Sequence, residues 1–151
     1  MHERIDPKDC IFCKIVRGEA PGHVVCEDER TLAFMDIFPV AEGHVLVIPK
    51  AHCTNLLDAD PTDLEAVIVR ARTIARAIRD ALAPDGIGTF QLNGAAAGQT
   101  VFHYHLHLIP RQSGEKLEIH GRKPGRAQRL AELAEQLSSA VAAEEAAGAG
   151  S

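Results

Sequence analysis

The sequence contains no tryptophan and one tyrosine, and it has fewer basic than acidic residues, 16 against 21, which gives a net charge of −5. A protein that binds nucleic-acid phosphates usually displays a basic face, so this balance argues against a nucleic-acid partner. No apolar run approaches the ~18 residues of a membrane-spanning helix, and no N-terminal apolar run resembles a signal peptide. We therefore expect a cytoplasmic protein that acts without nucleic acid or membrane.

Cysteine is also scarce, with residues at positions 10, 13, 26 and 53. These are too few and too irregularly spaced for the disulfide framework of a secreted domain. Cys10-x-x-Cys13 is typical of half a zinc site, and His52 and His103 are candidates for the two further ligands that structural zinc requires. The spacing alone is equally compatible with a plain buried cysteine pair. A thioredoxin-like redox pair would need a βαβ context, which this region lacks.

The length of 151 residues and the 46% hydrophobic content fit one domain with a substantial core. Asp60 and Pro61 are typical of the cap and first position of a helix, and apolar residues recur at helical spacing from there to residue 83. We predict an α+β fold, with a meander of about five antiparallel strands, this long central helix and a C-terminal helix.

The expected domain limits follow from composition. They are a flexible N-terminus over 1–9, the folded domain over 10–113, a C-terminal extension with a helix over 114–145, and a disordered tail over 146–151. Along the chain we expect a short helical turn at 10–16, strands at 23–27, 31–36, 44–48, 88–93 and 102–109, and helices at 61–83 and 126–144.

The most informative stretch runs from Phe102 to Ile109 and has the sequence FHYHLHLI. Successive side chains of a strand point to opposite faces, so His103, His105 and His107 would share one face and the apolar residues between them the other. Three imidazoles in a row are a costly arrangement for packing alone, and clusters of this kind mark functional sites. The pattern predicts a catalytic or metal-binding face. The histidines at positions 2, 23 and 120 are expected to be surface residues.

A small-residue loop leads into this stretch, bounded by Asn93, Gln99 and Thr100, whose amide and hydroxyl groups suit phosphate oxygens. A neutral imidazole is a competent nucleophile, so we expect His105 to attack phosphorus and form a phosphoramidate that water hydrolyses. His107 would hydrogen-bond the leaving atom or a phosphate oxygen and act as an acid. One metal shared by all three histidines is disfavoured, because His103 and His107 would start about 13 Å apart along the strand.

The stretch from His103 to Ile109 resembles the His-φ-His-φ-His-φ-φ signature of the histidine triad (HIT) family, where φ is hydrophobic. The resemblance covers about residues 10–111 and is to the branch of the family that bears C-x-x-C. Further motifs of that family stand in the expected order. They are CIFCKI from Cys10, FMDI from Phe34, GHVLVIPKAH from Gly43, Asn93, and GQT from Gly98.

The resemblance implies a HIT-like fold, a homodimer whose two sheets join, and a nucleotide cleft in each subunit. It implies a nucleotidyl-histidine on His105, with His44 completing the histidine cluster and Asp36 binding the ribose hydroxyls. By the same correspondence, zinc would be held by Cys10, Cys13, His52 and His103. The base pocket would be lined by Ile11, Phe12, Ile15, Phe34, Ile37 and Leu46, and the phosphate would be held by Asn93, Gln99, Thr100 and His107.

The favoured function is that of a nucleoside phosphoramidase or related hydrolase that acts on a purine nucleotide such as AMP or GMP and needs no catalytic metal. Two alternatives stay open: a dinucleoside polyphosphate hydrolase, and a nucleotide-binding regulatory protein with vestigial catalysis. The intact His105 and His107 argue against the second. The C-terminal segment departs from the shortest family members, so substrate preference does not follow from the resemblance.

Overall fold

The computed structural model describes residues 4–149 and has the expected α+β architecture. Five antiparallel strands form a single sheet in the order β1-β2-β3-β5-β4. The strands are β1 Val24–Glu27, β2 Thr31–Met35, β3 Val45–Pro49, β4 Gly86–Phe90 and β5 Leu106–Arg111, and the helices are α1 Ile11–Val16, α2 Pro61–Leu82 and α3 Ala127–Ala149.

Strand β3 is the central strand, as its run of β-branched residues predicts, and every residue in it is buried. The expected meander is wrong for the last two strands. After β3 the chain passes through α2 to the outer strand β4 and then returns as β5 between β3 and β4. Strand β4 also begins and ends earlier than the predicted 88–93. The histidine-bearing strand is thereby placed next to the sheet centre.

Helices α2 and α3 cover one face of the sheet and enclose the larger core. The side chain of Asp60 caps α2 by accepting a hydrogen bond from the Thr62 N–H at 2.8 Å, and Pro61 occupies the first turn. The α3 stripe that includes Leu130, Leu133 and Leu137 is buried in the same core.

Both predicted terminal segments are more ordered than composition suggested. Helix α3 continues to Ala149, so residues 146–149 of the expected disordered tail are helical. Within the N-terminal segment expected to be flexible, Asp9 N–H donates to the Asp6 carbonyl at 2.8 Å and closes a turn. His2, expected on the surface, and residues 150–151 of the tail lie outside the described residues.

The opposite face of the sheet carries a smaller apolar cluster centred on Phe12 of α1, Phe34 of β2 and Leu46 of β3. This face holds the candidate site. Over residues 4–149, no helix has both the length and the hydrophobicity needed to cross a bilayer. The cytoplasmic location expected from the sequence stays a prediction.

The strand predicted over 102–109 is wrong in its first half, because β5 begins at Leu106. Tyr104 N–H donates to the Cys53 carbonyl at 2.8 Å, which holds the preceding residues outside the sheet ladder. The predicted alternation of faces persists: Tyr104 and Leu106 join the large core, whereas the three histidines are buried outside it. Phe102, expected in that core, is only half-buried.

Candidate active site and metal centre

A cavity of about 520 Å³ opens on the α1 side of the sheet. All six residues predicted to form a base pocket line it: Ile11, Phe12, Ile15, Phe34, Ile37 and Leu46. Asp36, Thr100, His105 and His107 also line the cavity, so it has apolar walls and a polar end. A cavity of this size, with few polar groups that converge, suits a small organic ligand with one charged end.

His105 presents an unprotonated nitrogen to this cavity. Its Nδ1 lies 2.7 Å from the carbonyl oxygen of His103, and a carbonyl can only accept, so Nδ1 carries the proton. Burial lowers the pKa of His105, which favours the neutral ring. The Nε2 lone pair is therefore available for attack on an electrophile.

His107, in contrast to His105, carries its proton on Nε2. The Val40 N–H donates to Nδ1 of His44 at 3.1 Å, so the neutral His44 ring carries its proton on Nε2, which lies 2.9 Å from Nδ1 of His107. His107 accepts there and must carry its own proton on Nε2. That buried Nε2 has no hydrogen-bond partner among residues 4–149, so the cavity holds a donor without an acceptor.

Burial keeps both rings of this pair neutral, because it lowers the pKa of His44 to about 3 and that of His107 to about 2. Phe90 also fixes the plane of His107, since the two rings stack with centroids 4.5 Å apart at 15°. Sequence analysis missed Phe90, which the β4–β5 register places directly opposite His107. The ring centroids of His105 and His107 lie 4.8 Å apart, close enough for both rings to contact one ligand.

The predicted phosphate residues separate into two groups. Thr100 lines the cavity, but Gln99 is buried and its amide spans the loop, accepting from Gly94 N–H at 2.8 Å and donating to the Thr54 carbonyl at 2.7 Å. The side-chain oxygen of Asn93 accepts from the Leu56 N–H at 2.8 Å. Gln99 and Asn93 therefore brace the loop, and their direct contact with a phosphate stays a prediction.

A second cluster joins α1 to the segment before β5. Sγ of Cys13 lies 3.2 Å from Nδ1 of His52 and 3.5 Å from Nδ1 of His103, and Sγ of Cys10 lies 3.4 Å from Nδ1 of His103. The four donor atoms lie within 4.8 Å of one another. Tetrahedral zinc, with Zn–S and Zn–N bonds of about 2.3 and 2.0 Å, would place sulfur and nitrogen about 3.5 Å apart. The donor set and its spacing fit zinc.

Hydrogen bonding orients this cluster for a cation, whereas burial keeps its Cys13 sulfur uncharged until a cation binds. Nε2 of His103 donates to the Pro49 carbonyl at 2.8 Å, so its Nδ1 lone pair faces the two sulfurs. Burial, with the adjoining Cys10 thiol, raises the pKa of Cys13 to about 12. Without a cation, this buried sulfur is therefore a neutral thiol. A divalent ion would supply the charge that favours the thiolate.

Asp36, His44 and His107 form another group close enough to share a metal. Their hydrogen bonds argue against that use. Nδ1 of His44 accepts from Val40, Nε2 of His44 carries a proton, and Nδ1 of His107 accepts that proton. Neither ring nitrogen of His44 is left with a lone pair for a metal. His44 and His107 form a hydrogen-bonded relay, and Oδ2 of Asp36 lies 3.4 Å from Nε2 of His44.

Sequence analysis placed His120 on the surface, but its ring lines the cavity and its Nε2 donates to the Gly98 carbonyl at 2.8 Å. The connection between β5 and α3 thus forms part of the wall. Gly121 makes this possible, since a Cβ there would overlap the carbonyl oxygens of Phe38 and Pro39. No periodicity in this polar segment could have revealed the contact.

The chain is similar to known proteins in sequence and in fold. A model of the HIT domain matches residues 17–114. "Protein hit" of Bacillus subtilis is 49% identical over 104 residues, which span 69% of this chain and 72% of that protein. Adenylylsulfatase HINT3 of Arabidopsis thaliana is 41% identical over 109 residues, which span 72% of this chain and 55% of that protein.

Among solved structures, a zinc-bound histidine triad family protein from Mycobacterium smegmatis is similar to this chain with a TM-score of 0.82 and 40% identity. The match covers 94% of this chain and 99% of that one. The likeness therefore extends beyond residue 114, where the domain match ends, into the C-terminal extension.

Proposed function

Because this chain belongs to the histidine triad family, we propose that it is a nucleotide hydrolase or transferase that cleaves nucleoside 5′-monophosphate derivatives through a nucleotidyl-histidine on His105. One observation carries the proposal. Two neighbouring buried imidazoles line one cavity, one with a nitrogen lone pair and the other with an N–H donor. His105 has a free lone pair on Nε2, and His107 has an unpartnered Nε2–H.

The reaction balances with these two groups. Nε2 of His105 attacks the α-phosphorus, the bond from phosphorus to the leaving group breaks, and its electron pair departs with the leaving atom. The Nε2–H of His107 stabilises the charge that develops on a phosphate oxygen or the leaving atom. Water then attacks the same phosphorus and breaks the P–N bond, whose electron pair returns to Nε2 of His105. The proton that this water loses balances the proton that the leaving atom takes up, so the products are the nucleoside 5′-monophosphate and the protonated leaving group.

The cavity supports a nucleotide substrate. Its apolar part, with Phe12 and Phe34, suits a purine base, while Asp36 suits a ribose diol. A phosphoramidate with an amine leaving group remains the favoured substrate. The relative named as an adenylylsulfatase supports including a nucleoside phosphosulfate, and dinucleoside polyphosphates are the other candidate class.

We expect the wild-type protein to release AMP from adenosine 5′-phosphoramidate at neutral pH, because its nucleophile is already neutral and oriented. Chromatography of the products would measure the rate, with adenosine 5′-phosphosulfate and a diadenosine polyphosphate in parallel. The best of the three kcat/KM values assigns the substrate class. A protein that binds AMP but turns over none of them would instead be the regulatory nucleotide binder.

We infer that Cys10, Cys13, His52 and His103 hold a structural zinc ion, by analogy with the zinc-bound relative of known structure. Four protein ligands would fill a tetrahedral site and leave no position for substrate, which is the pattern of structural zinc. The ion would tie α1 to the residue two positions before His105 and supply no step of the reaction.

We infer that the protein is a homodimer formed through β4 and α2. Within residues 4–149, strand β4 is an edge of the sheet and pairs only with β5. Beside it, Ile68 and Val69 on α2 are 58% and 66% exposed. They border an apolar groove that reaches Leu106 and Leu108. A second copy related by a two-fold axis would pair the strand edges and bury both apolar faces.

Val69→Glu is expected to convert the dimer to a monomer, because a two-fold axis places the new charge in the interface twice. Light scattering coupled to gel filtration would give the mass. Val24→Glu is the matched control, since Val24 is also an exposed strand residue, at 41%, but lies on the opposite edge strand β1. If Val24→Glu dissociated the dimer and Val69→Glu did not, the interface would lie at the β1 edge and the inference would be wrong.

A further inference from the structure

The carboxylate of Asp36, assigned above to the ribose, also touches the catalytic relay. Its Oδ1 accepts a hydrogen bond from the Phe38 N–H at 2.8 Å. Its Oδ2 lies 3.4 Å from Nε2 of His44, the nitrogen that donates to His107. The Asp36 side chain is 17% exposed, so the cavity reaches the same carboxylate that faces the relay.

The relay works in one tautomer only. His107 presents Nε2–H to the cavity because its Nδ1 receives the proton of His44 Nε2. If the proton of His44 moved to Nδ1, two donors, this N–H and the Val40 N–H, would face each other. His107 would then have to carry its proton on Nδ1 to donate to His44, and its Nε2 would no longer be a donor. The tautomer of His44 therefore determines which ring nitrogen of His107 carries the proton.

We propose that Asp36 is a positioning residue for the His44–His107 pair, its Oδ2 holding the proton on Nε2 of His44 so that His107 keeps its donor in the cavity. The kinetic part of this role rests on the proposed nucleotidyl-transfer function. Asp36 would then act at two ends of the substrate. Its carboxylate is expected to bind the sugar, and the same carboxylate keeps the proton of His107 on Nε2, where it faces the phosphate.

Asp36→Asn tests this link sharply because the fixed environment dictates how the amide lies. The Phe38 N–H requires an acceptor at the Oδ1 position, so the amide oxygen stays there. The NH2 group then takes the place of Oδ2 and points at the Nε2–H of His44, donor against donor. Asp36→Ala removes the acceptor without adding this conflict and should have the smaller effect.

Sugar binding and positioning are separated by the substrate. With a 2′,3′-dideoxyadenosine 5′-phosphoramidate, no diol is present for Asp36 to bind. We expect Asp36→Asn to lower kcat on this compound about tenfold or more, as wrong-tautomer variants of catalytic histidines do. Asp80→Asn, a surface carboxylate of α2, is the control and should keep the wild-type kcat. Wild-type kcat on the dideoxy compound in both Asp36 variants would overturn the proposal.

A second readout needs no turnover. The ¹⁵N chemical shifts of the imidazoles in the free protein report which nitrogen of His44 and His107 is protonated. We expect Nε2–H on both rings in the wild type, as the hydrogen bonds require, and a mixed or reversed population in Asp36→Asn. Unchanged shifts would overturn the proposal, whereas a wild-type protein inactive on every nucleotide would overturn only the proposed function.

Discussion

His105→Ala will lower kcat on adenosine 5′-phosphoramidate by about 10³-fold or more, because it removes the imidazole nitrogen that we propose attacks phosphorus. Nε2 of His105 owes this role to the 2.7 Å bond between its Nδ1–H and the His103 carbonyl. The base pocket and Asp36 are untouched, so AMP should still bind. Steady-state kinetics would measure the loss, and calorimetry the retained affinity.

The matched control is His23→Ala, since His23 lies outside the cavity lining and should keep wild-type activity. Rapid acid-free quenching and mass spectrometry of the wild type should find an adenylyl group on the peptide that contains His105. Turnover that survives in His105→Ala, or an adenylyl group on another residue, would show that the nucleophile has been assigned to the wrong histidine.

Removal of the inferred zinc ion will lower the melting temperature by roughly 10 °C, because a ligand present at about 1,000 times its Kd contributes about 4 kcal/mol to the folded state. Cys13→Ser should lower the melting temperature similarly, because Sγ of Cys13 lies within 3.5 Å of both candidate histidines. Elemental analysis would count the zinc, and calorimetry would follow unfolding with and without a chelator. Activity should also fall, since His103 supplies the carbonyl that orients His105.

Two variants make the zinc experiment specific. Cys26→Ser changes a cysteine outside the cluster and should keep one zinc ion per chain. His105→Ala should keep it as well, and loss of all metal there would instead favour a metal held by the three histidines together. Full zinc content and an unchanged melting temperature in Cys13→Ser would show that the cluster does not bind the ion.

Local patterns predicted the helices and the two faces of the histidine stretch, because these depend on periodicity and capping. The burial of β3, the Asp60 cap of α2 and the alternation around Tyr104 and Leu106 follow from residues close in sequence. The cysteine spacing and the motif resemblance together indicated the candidate zinc ligands, whose convergence no spacing alone could establish. The structure places them within bonding reach of one ion.

The remaining features depend on contacts between distant residues. Strand β5 starts late because Tyr104 bonds to Cys53, and β4 lies outside β5 because α2 carries the chain across the sheet. Whether Gln99 faces a ligand or braces a loop depends on the Thr54 carbonyl, 45 residues away. The contact of His120 with Gly98 likewise arises only after folding.

The protonation pattern of the site is set largely by the main chain. The Val40 N–H orients His44, the His103 carbonyl orients His105, and the Pro49 carbonyl orients His103. Every residue has a carbonyl and all but proline have an N–H, so sequence drift at position 40 or 49 need not alter the catalytic tautomers. Shifts of the backbone would alter them. A substitution at position 49, or a non-proline substitution at position 40, can therefore leave these tautomers intact, provided that the buried packing of β3 and the path of the chain are kept.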